Sequence, residues 1–459
     1  QPAIWLALCI PMMAPTVVVS AAYGTLGDVA PLLGLTQKLL ARGVPTTLVI
    51  DAYFLARAQP LREAGARVLT LGSAAEYEQL LGDAKKRWSK PQSTVHFWLA
   101  RLEEHYRLLE SLAAEAPGRV AFVGHALDLP VRLIEEKLRL PCATVLLQPW
   151  MLRSKEQPCQ FAGMRVRAWY PKGLKAFCYK VQDFLIDYAY TPQLNAFRAQ
   201  LHLPPVIRVY HKWFLAEGMV LGLWPDWFAK ASDFPQRVRI CDFPFTDGAA
   251  GGFVSEGAEA LKQLAPELRR FLVEADGTPV YAFTLGSAPP PYAPAFFAAA
   301  VAACERLGAR CVLLTASAAL LPQPLPASAH HAAYAPFSSL MQHVAAFVYN
   351  GGFGGLSQAL RAGVPQLVVP GRFDQPHNAS EVEKLGVGLR LDMQALTARS
   401  MAAALRKLRE AAVKARCAEV AARCAQGSDG LDYAALNVVE FATRRCAAAE
   451  APAEEATTA

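Results

Sequence analysis

Residues 345–379 read AAFVYNGGFGGLSQALRAGVPQLVVPGRFDQPHNA, and the fold is decided there. Ala345 to Tyr349 is a short apolar run suited to a buried strand, Asn350 to Gly355 is a glycine-rich turn, and Ser357 to Ala362 has helical spacing. Gln366 to Val369 is a second buried strand, ending in the loop Gly371 to Asn378. Strand, glycine turn, helix and strand in that order make a βαβ unit, which belongs in a parallel sheet with helices on both faces. Consecutive glycines let backbone N–H groups approach a phosphate, and the helix that follows presents its positive dipole end. Asn350, Gly351, Gly352, Gly354 and Gly355 are therefore candidates for holding a phosphorylated ligand. One βα unit further on, Asp374 and Gln375 offer acceptors and an amide suited to sugar hydroxyls. Read singly, Asp374 is more often a helix cap and Gln375 a solvated polar residue; their position one βα unit after the glycine turn is what favours the ligand reading.

The same grammar extends outward. Apolar runs at Pro279 to Thr284 and Cys311 to Thr315, with a helical pattern at Ala295 to Leu307, complete a second-half α/β domain. In the first half, Thr16 to Ser20, Thr46 to Ile50, Arg67 to Leu71, Val120 to Val123 and Ala143 to Leu147 are separated by segments long enough for crossover helices, starting with Pro31 to Arg42. Two doubly wound domains are expected, spanning 14–240 and 241–446. The last helix of the second would pack back on the first, and Ala447 to Ala459 is an Ala/Glu/Thr tail expected to be disordered. Pro225 to Gly252, rich in Pro, Gly and Asp, suits an interdomain linker.

Composition narrows the class. The chain has 459 residues, 53% apolar and 19% charged, so it has enough apolar surface to build cores and a mostly disordered protein is excluded. The excess of 46 Lys and Arg over 39 Asp and Glu gives +7, which favours anionic ligands or an anionic surface and is too small to imply nucleic acid. Its 10 cysteines form no C-x-x-C pair and no zinc-spaced cluster, so no structural metal site is indicated and a reducing, cytoplasmic setting is expected. No apolar run is long enough to span a bilayer. Gln1 to Met13, apolar and without an initial Met, reads as a clipped terminus or a signal remnant.

Gly24-Thr25-Leu26-Gly27-Asp28-Val29-Ala30-Pro31 follows the first strand and opens the first helix. Asp28 should therefore stand at the carboxyl edge of the sheet, where ligands of open α/β folds bind; a helix-capping role competes with that reading. The spacing is not G-x-G-x-x-G, so hydride transfer is not supported. His125, just after the strand at Val120 to Val123, also faces this edge, either as a packed histidine or as an acceptor contact.

On these motifs the sequence resembles the nucleotide-sugar glycosyltransferases of the GT-B fold, in which two Rossmann-like domains face a central cleft. Gly24, Thr25, Gly27, Asp28 and Pro31 match the family's G-[ST]-x-G-D-x-x-P pattern, and ALRAGVPQLVVPGRFDQPHNA from Ala359 to Ala379 looks like its donor-binding segment. Leu221 to Phe245 and Tyr334 to Ser338 look closest to the branch containing bacterial rhamnosyltransferases and sterol glucosyltransferases. The resemblance implies a hexosyltransferase acting with inversion, in which Asp28 is the general base for an acceptor hydroxyl attacking a UDP- or dTDP-sugar. It places Thr25, Gly27, Ser287, the glycine loop, Asp374 and Gln375 on the donor side, with no obligatory metal. The expected acceptor is an apolar lipid, sterol or other small molecule.

Two positions depart from the family's usual H-x-G-x-G-[ST] loop: Asn350 stands at the histidine position and Gly355 at the hydroxyl position. A GT-B-like pseudoenzyme or partner protein with a degenerate loop is therefore the alternative, and an epimerase a more distant one. In the first reading, Asn350→His with Gly355→Thr should raise activity. Finally, Arg165 to Lys180 carries five basic residues, no acidic ones and four aromatics. It suggests a peripheral membrane contact, against a solvated basic loop in which Pro171 and Gly173 interrupt any single helix.

Overall fold

The computed structural model describes residues 15–86, 97–158, 160–161, 164–167, 169–245, 258–287 and 289–450. The expectation for Gln1 to Met13 lies outside them. The first half builds a seven-stranded parallel sheet from β1 (Thr16–Ala21), β2 (Thr46–Asp51), β3 (Arg67–Leu71), β4 (Val120–His125), β5 (Cys142–Leu146), β8 (Met219–Gly222) and β9 (Val238–Ile240), in the order β3-β2-β1-β4-β5-β8-β9. A two-stranded antiparallel hairpin, β6 (Gln160–Phe161) and β7 (Met164–Arg165), stands apart from it. The second half builds a six-stranded parallel sheet from β10 (Val280–Thr284), β11 (Arg310–Leu314), β12 (Ala329–Ala332), β13 (Ala346–Tyr349), β14 (Gln366–Val368) and β15 (Gly388–Arg390), in the order β12-β11-β10-β13-β14-β15.

Strand composition follows from burial on two sides. On β1, Val18 packs into one apolar core while Val17 and Val19 pack into another across the sheet, so an unbroken valine run is satisfied where an alternating pattern would leave one face wet. Each valine so buried contributes about 1.5–3 kcal/mol. The principal helices are α1 (Leu26–Leu40), α2 (Leu55–Glu63), α3 (Ala74–Lys86), α4 (Leu102–Glu115), α5 (Leu129–Leu138) and α6 (Lys172–Gln200), then α7 (Pro266–Val273), α8 (Ala293–Leu307), α9 (Phe353–Arg361), α10 (Gln375–Lys384), α11 (Ala398–Leu408), α12 (Ala411–Gln426) and α13 (Gly430–Glu450).

Strand order fixes where ligands can bind. In the first sheet the chain leaves β1 toward β2 and later returns to β1's other side with β4; in the second sheet β10 and β13 bear the same relation. Crossovers therefore diverge at these two pairs and open a crevice beyond the strands' carboxyl ends. The segments after β1, β10 and β13 include the candidate residues Asp28, Ser287 and Asn350, and His125 ends β4.

Three local expectations are corrected. Val238–Ile240 is the last strand of the first sheet, and Trp224, Phe228 and Phe243 are buried around it, so much of Pro225 to Phe245 is packed structure where a linker is expected. Lys172–Gln200 is one helix: Pro171 precedes its first turn, where the missing N–H costs nothing, and Gly173 and Pro192 are absorbed along its length. Helix α13 continues to Glu450, four residues into the expected tail, because Leu431, Ala435, Val438 and Ala442 anchor it in the core of the first sheet and alanines propagate it. Lys38 on α1 joins Asp429 at 2.6 Å and Asp432 at 3.3 Å, fastening the last helix to the first.

Candidate active site

On the first sheet's edge, Gly24 turns the chain at φ +98°, and a Cβ there would lie 2.5 Å from the Asp28 carboxylate. Only glycine lets the turn fold over that side chain. Thr25 caps α1, and Asp28 reaches back: its Oδ2 accepts from the Thr25 N–H at 2.8 Å and from the Thr25 hydroxyl at 3.2 Å. Capping and catalysis are therefore compatible, since both bonds fall on Oδ2 and orient the carboxylate while Oδ1 keeps its capacity to take a proton. Gly27 is exposed beside it. Tyr77 donates to the Gly24 carbonyl at 2.9 Å and braces the turn.

His125 closes β4 and is buried. Its Nδ1 accepts from the Leu127 N–H at 3.3 Å, which puts the ring proton on Nε2. Nε2 is buried without a hydrogen-bond partner. Burial lowers the basicity of the ring, against the pull of the nearby Asp28 carboxylate, so a neutral imidazole faces that acid. Trp98 lies 6.4 Å from His125, ring centre to ring centre, and Tyr23, Tyr77 and Phe97 continue an aromatic wall from it. A small pocket lined by Tyr23, Tyr77, Leu80 and Phe97 ends at Asp51 and Arg101, an ion pair at 2.5 Å.

Behind this edge lies a polar cluster that motif reading missed. Ser20 on β1 bonds both His105 on α4, at 3.0 Å, and Asp128 at the start of α5. Burial pushes the Asp128 carboxyl up to about 7, opposed by the Ser20 bond, and pushes His105 down to about 3. All three are sealed from solvent, so the cluster is no nucleophilic triad; it braces the β1 and β4 ends that carry Asp28 and His125. Its members lie 85 and 108 residues apart from Ser20, so only the strand-order reversal could have pointed to them.

On the second sheet's edge, Asn350 works as a clip. Its amide donates to the Leu285 carbonyl at 3.0 Å and its oxygen accepts from the Gly352 N–H at 3.2 Å, joining the post-β10 loop to the glycine loop. Ser287 is exposed at the mouth of that loop. Gly352 caps α9, leaving the first-turn amides of Phe353, Gly354 and Gly355 as an anion-binding end. Gly351 sits at φ +89°, where a Cβ would strike Val368 at 2.7 Å. At Gly355 an added Cβ would meet the Phe347 and Tyr349 rings at 3.2 Å, whereas Gly354 has open space.

Asp374 immediately precedes α10 and is half-buried; burial first, and the Asp28 carboxylate in addition, raise its carboxyl to about 7. The Asp28 carboxylate of the first sheet thus bears on Asp374 of the second across the crevice. Asn378, also missed in the sequence, donates to Asp374 Oδ2 at 2.7 Å and to the Gly351 carbonyl at 2.8 Å, coupling the acid to the glycine loop. Gln375 is partly committed: its oxygen accepts from the Gly371 and Arg372 N–H groups at 2.9 and 3.0 Å, so only its amide NH2 is left to face a ligand. Among the described residues no group of three or more His, Cys, Asp or Glu is placed to hold a metal ion.

Two facing switch points, one with an aromatic wall and a carboxylate, the other with a glycine-rich helix start and an acid, offer the groups that transfer from a phosphorylated donor would need. Residues 301–429, which contain that second half-site, match the family described as erythromycin biosynthesis protein CIII-like, C-terminal domain. The chain is 29% identical over 402 residues to glycosyltransferase GtfE of Amycolatopsis orientalis, covering 83% of this chain and 87% of that protein. In sequence and in fold the chain is similar to glycosyltransferases of the GT-B type. The fold agrees over nearly the whole length: the crystal structure of the kitacinnamycin glycotransferase superposes with a TM-score of 0.69 at 18% identity, covering 95% of this chain and all of that one. Glycosyltransferase VinC, solved in complex with dTDP, superposes with a TM-score of 0.60 at 19% identity, covering 94% of this chain and all of that one. The matches support the family at that breadth and do not single out a rhamnosyltransferase or sterol glucosyltransferase branch.

Proposed function

We propose that this glycosyltransferase moves a hexosyl group, with inversion, from a UDP- or dTDP-sugar to a hydroxyl of an apolar acceptor. The observation that carries the proposal is the placement of Asp28 and Asp374 on opposite sheet edges, near enough for one carboxylate to disfavour ionisation of the other. The donor diphosphate would lie against the amides of Gly352 to Gly355 and the Ser287 loop, where a helix end meets the charge that grows on the leaving group. Asp374 and the Gln375 amide would receive sugar hydroxyls, with Asn378 holding Asp374 in place.

The acceptor hydroxyl would enter from the first sheet and give its proton to Asp28 Oδ1. Its oxygen then bonds to the anomeric carbon as the bond to the phosphate oxygen breaks, and the electron pair leaves with the diphosphate. Attack from one edge while the leaving group is held on the other puts the two oxygens on opposite faces of the sugar carbon, which inverts it. His125, neutral and donating through Nε2, would hold the Asp28 carboxylate or the incoming oxygen. An apolar acceptor is supported by the aromatic wall of Tyr23, Tyr77, Phe97 and Trp98 beside Asp28.

The test is transfer from α-linked UDP- and dTDP-hexoses to a panel running from sterols and long-chain hydroxy acids to free sugars, with the product's anomeric configuration read by NMR. A β-linked product on the apolar members supports the proposal. An α-linked product, or transfer confined to free sugars, contradicts it.

A further inference from the structure

Helix α6 wears an apolar stripe on its outside. Leu174, Phe177, Phe184, Leu185 and Tyr188 are exposed, with Phe177 62%, Phe184 70% and Tyr188 66% accessible. At 3.6 residues per turn they fall within about 100° of arc and extend over roughly 21 Å. The opposite side of the helix is fully employed: Lys175 donates to the Lys155 carbonyl at 2.7 Å, Tyr179 to the Ser154 carbonyl at 2.5 Å, and Asp183 pairs with Arg153 at 2.5 Å and Arg208 at 2.9 Å. The stripe is thus not a core face in search of its own domain. It is continued by Trp169, 74% accessible, just before the helix, and by exposed Ile207 in the turn whose following N–H is held by Asp187.

Charge settles which surface it fits. Arg167, Lys172, Lys180 and Lys212 are exposed: Arg167 and Lys172 lie at the helix start where the stripe begins, and Lys180 lies just beyond its edge. The two acids on this half of the helix, Asp183 and Asp187, are turned inward and taken up by Arg153, Arg208 and the backbone of Arg208 and Val209. A row of aromatic and aliphatic side chains with exposed cations at its start and edge, on a chain of net charge +7, is complementary to an anionic lipid surface: the rings would enter the acyl boundary and the ammonium groups would meet headgroup phosphates. Among the described residues no helix is long and apolar enough to cross a membrane. We propose that the outer face of α6, with Trp169 and Ile207, seats the enzyme on an anionic bilayer. The loop that α6 grips, Arg153 to Lys155, follows the carboxyl end of β5 in the first sheet, so the seated face is on the lobe that carries Asp28.

The experiment is co-sedimentation of the full chain with vesicles of phosphatidylcholine, with and without phosphatidylserine, alongside analytical ultracentrifugation without lipid. The expected result is binding to the phosphatidylserine vesicles that weakens with salt. Replacing Lys172 and Lys180 by Gln should weaken it about 25-fold, at roughly fivefold per lysine near the surface. The triple variant F177S/F184S/Y188S should abolish it with the circular dichroism spectrum unchanged, since these side chains carry no core packing. Failure of the parent to bind either vesicle, equal binding with and without phosphatidylserine, or unaltered binding by the folded triple variant would overturn the proposal. So would a concentration-dependent dimer that the triple variant abolishes, because the stripe would then be covered by a second copy.

Discussion

Asp374 is a carboxyl whose ionisation the fold resists, and replacing it by Asn should separate what it costs from what it does. Burial, with the Asp28 carboxylate adding to it, raises the group from 3.8 to about 7. Below about pH 4 both folded and unfolded chains hold the proton and no penalty exists. Between there and about pH 7 the folded chain keeps a proton that the unfolded chain has released, so stability falls as pH rises; above pH 7 the loss is complete. The interval corresponds to roughly 4 kcal/mol, and screening at the partly exposed edge of the side chain brings the expected effect to roughly 2–4 kcal/mol. Asp374→Asn cannot ionise and can still accept from Asn378. Urea unfolding of parent and variant at pH 5 and pH 8 should therefore show the variant gaining most of that amount on the parent between the two values. His105 and Asp128 titrate alike in both proteins, so the difference isolates position 374. At the same time the variant should lose donor affinity, because an amide receives one sugar hydroxyl fewer than a carboxylate. The same pH dependence in both proteins would refute the reasoning.

Three further outcomes follow from the glycine loop and its supports. Gly355→Thr should destabilise by about 1–3 kcal/mol and bring no gain in transfer, because the Phe347 and Tyr349 rings it would strike are stacked and Tyr349 is held by Gln366; thermal unfolding and initial rates check this. Gly354→Ser, with nothing within 4 Å of the added Cβ, should stay within about 1 kcal/mol of the parent by the same unfolding assay. Asn378→Ala should cost about 1–3 kcal/mol by unpairing the Gly351 carbonyl and loosening Asp374, and should raise KM for the donor more than it lowers kcat in steady-state kinetics.

Much of the architecture was legible because buried parallel strands write themselves as short apolar runs, and Val17 to Val19 or Phe347 to Tyr349 admit few other readings. What stayed hidden lacked a local signal. Val238–Ile240 is a three-residue edge strand among prolines and a glycine-rich stretch, and reads as a linker until β8 is there to pair with it. Gly173 and Pro192 look like breakers, yet the inward contacts of Lys175, Tyr179 and Asp183 outweigh their local cost to α6. At the site, the motif residues were visible but their commitments were not: Gln375 spends its oxygen on its own loop, Asn350 clips two loops together, and Gly355 faces rings. That last fact removes the expectation that a hydroxyl at 355 would strengthen the phosphate loop. Asn378 sits in plain view four residues after Asp374, one helical turn on, and that spacing is the signal that could have found it.

The central claim is that Asp28 takes the acceptor's proton while the second sheet holds the donor. Asp28→Asn, assayed for glycosyl transfer and by calorimetric titration with UDP and dTDP, tests it most directly. The account predicts a fall in kcat of about 10²–10⁴ with nucleotide affinity unchanged, since the Thr25 cap bonds can persist to an amide oxygen. Transfer at the parent's rate by the variant would contradict it.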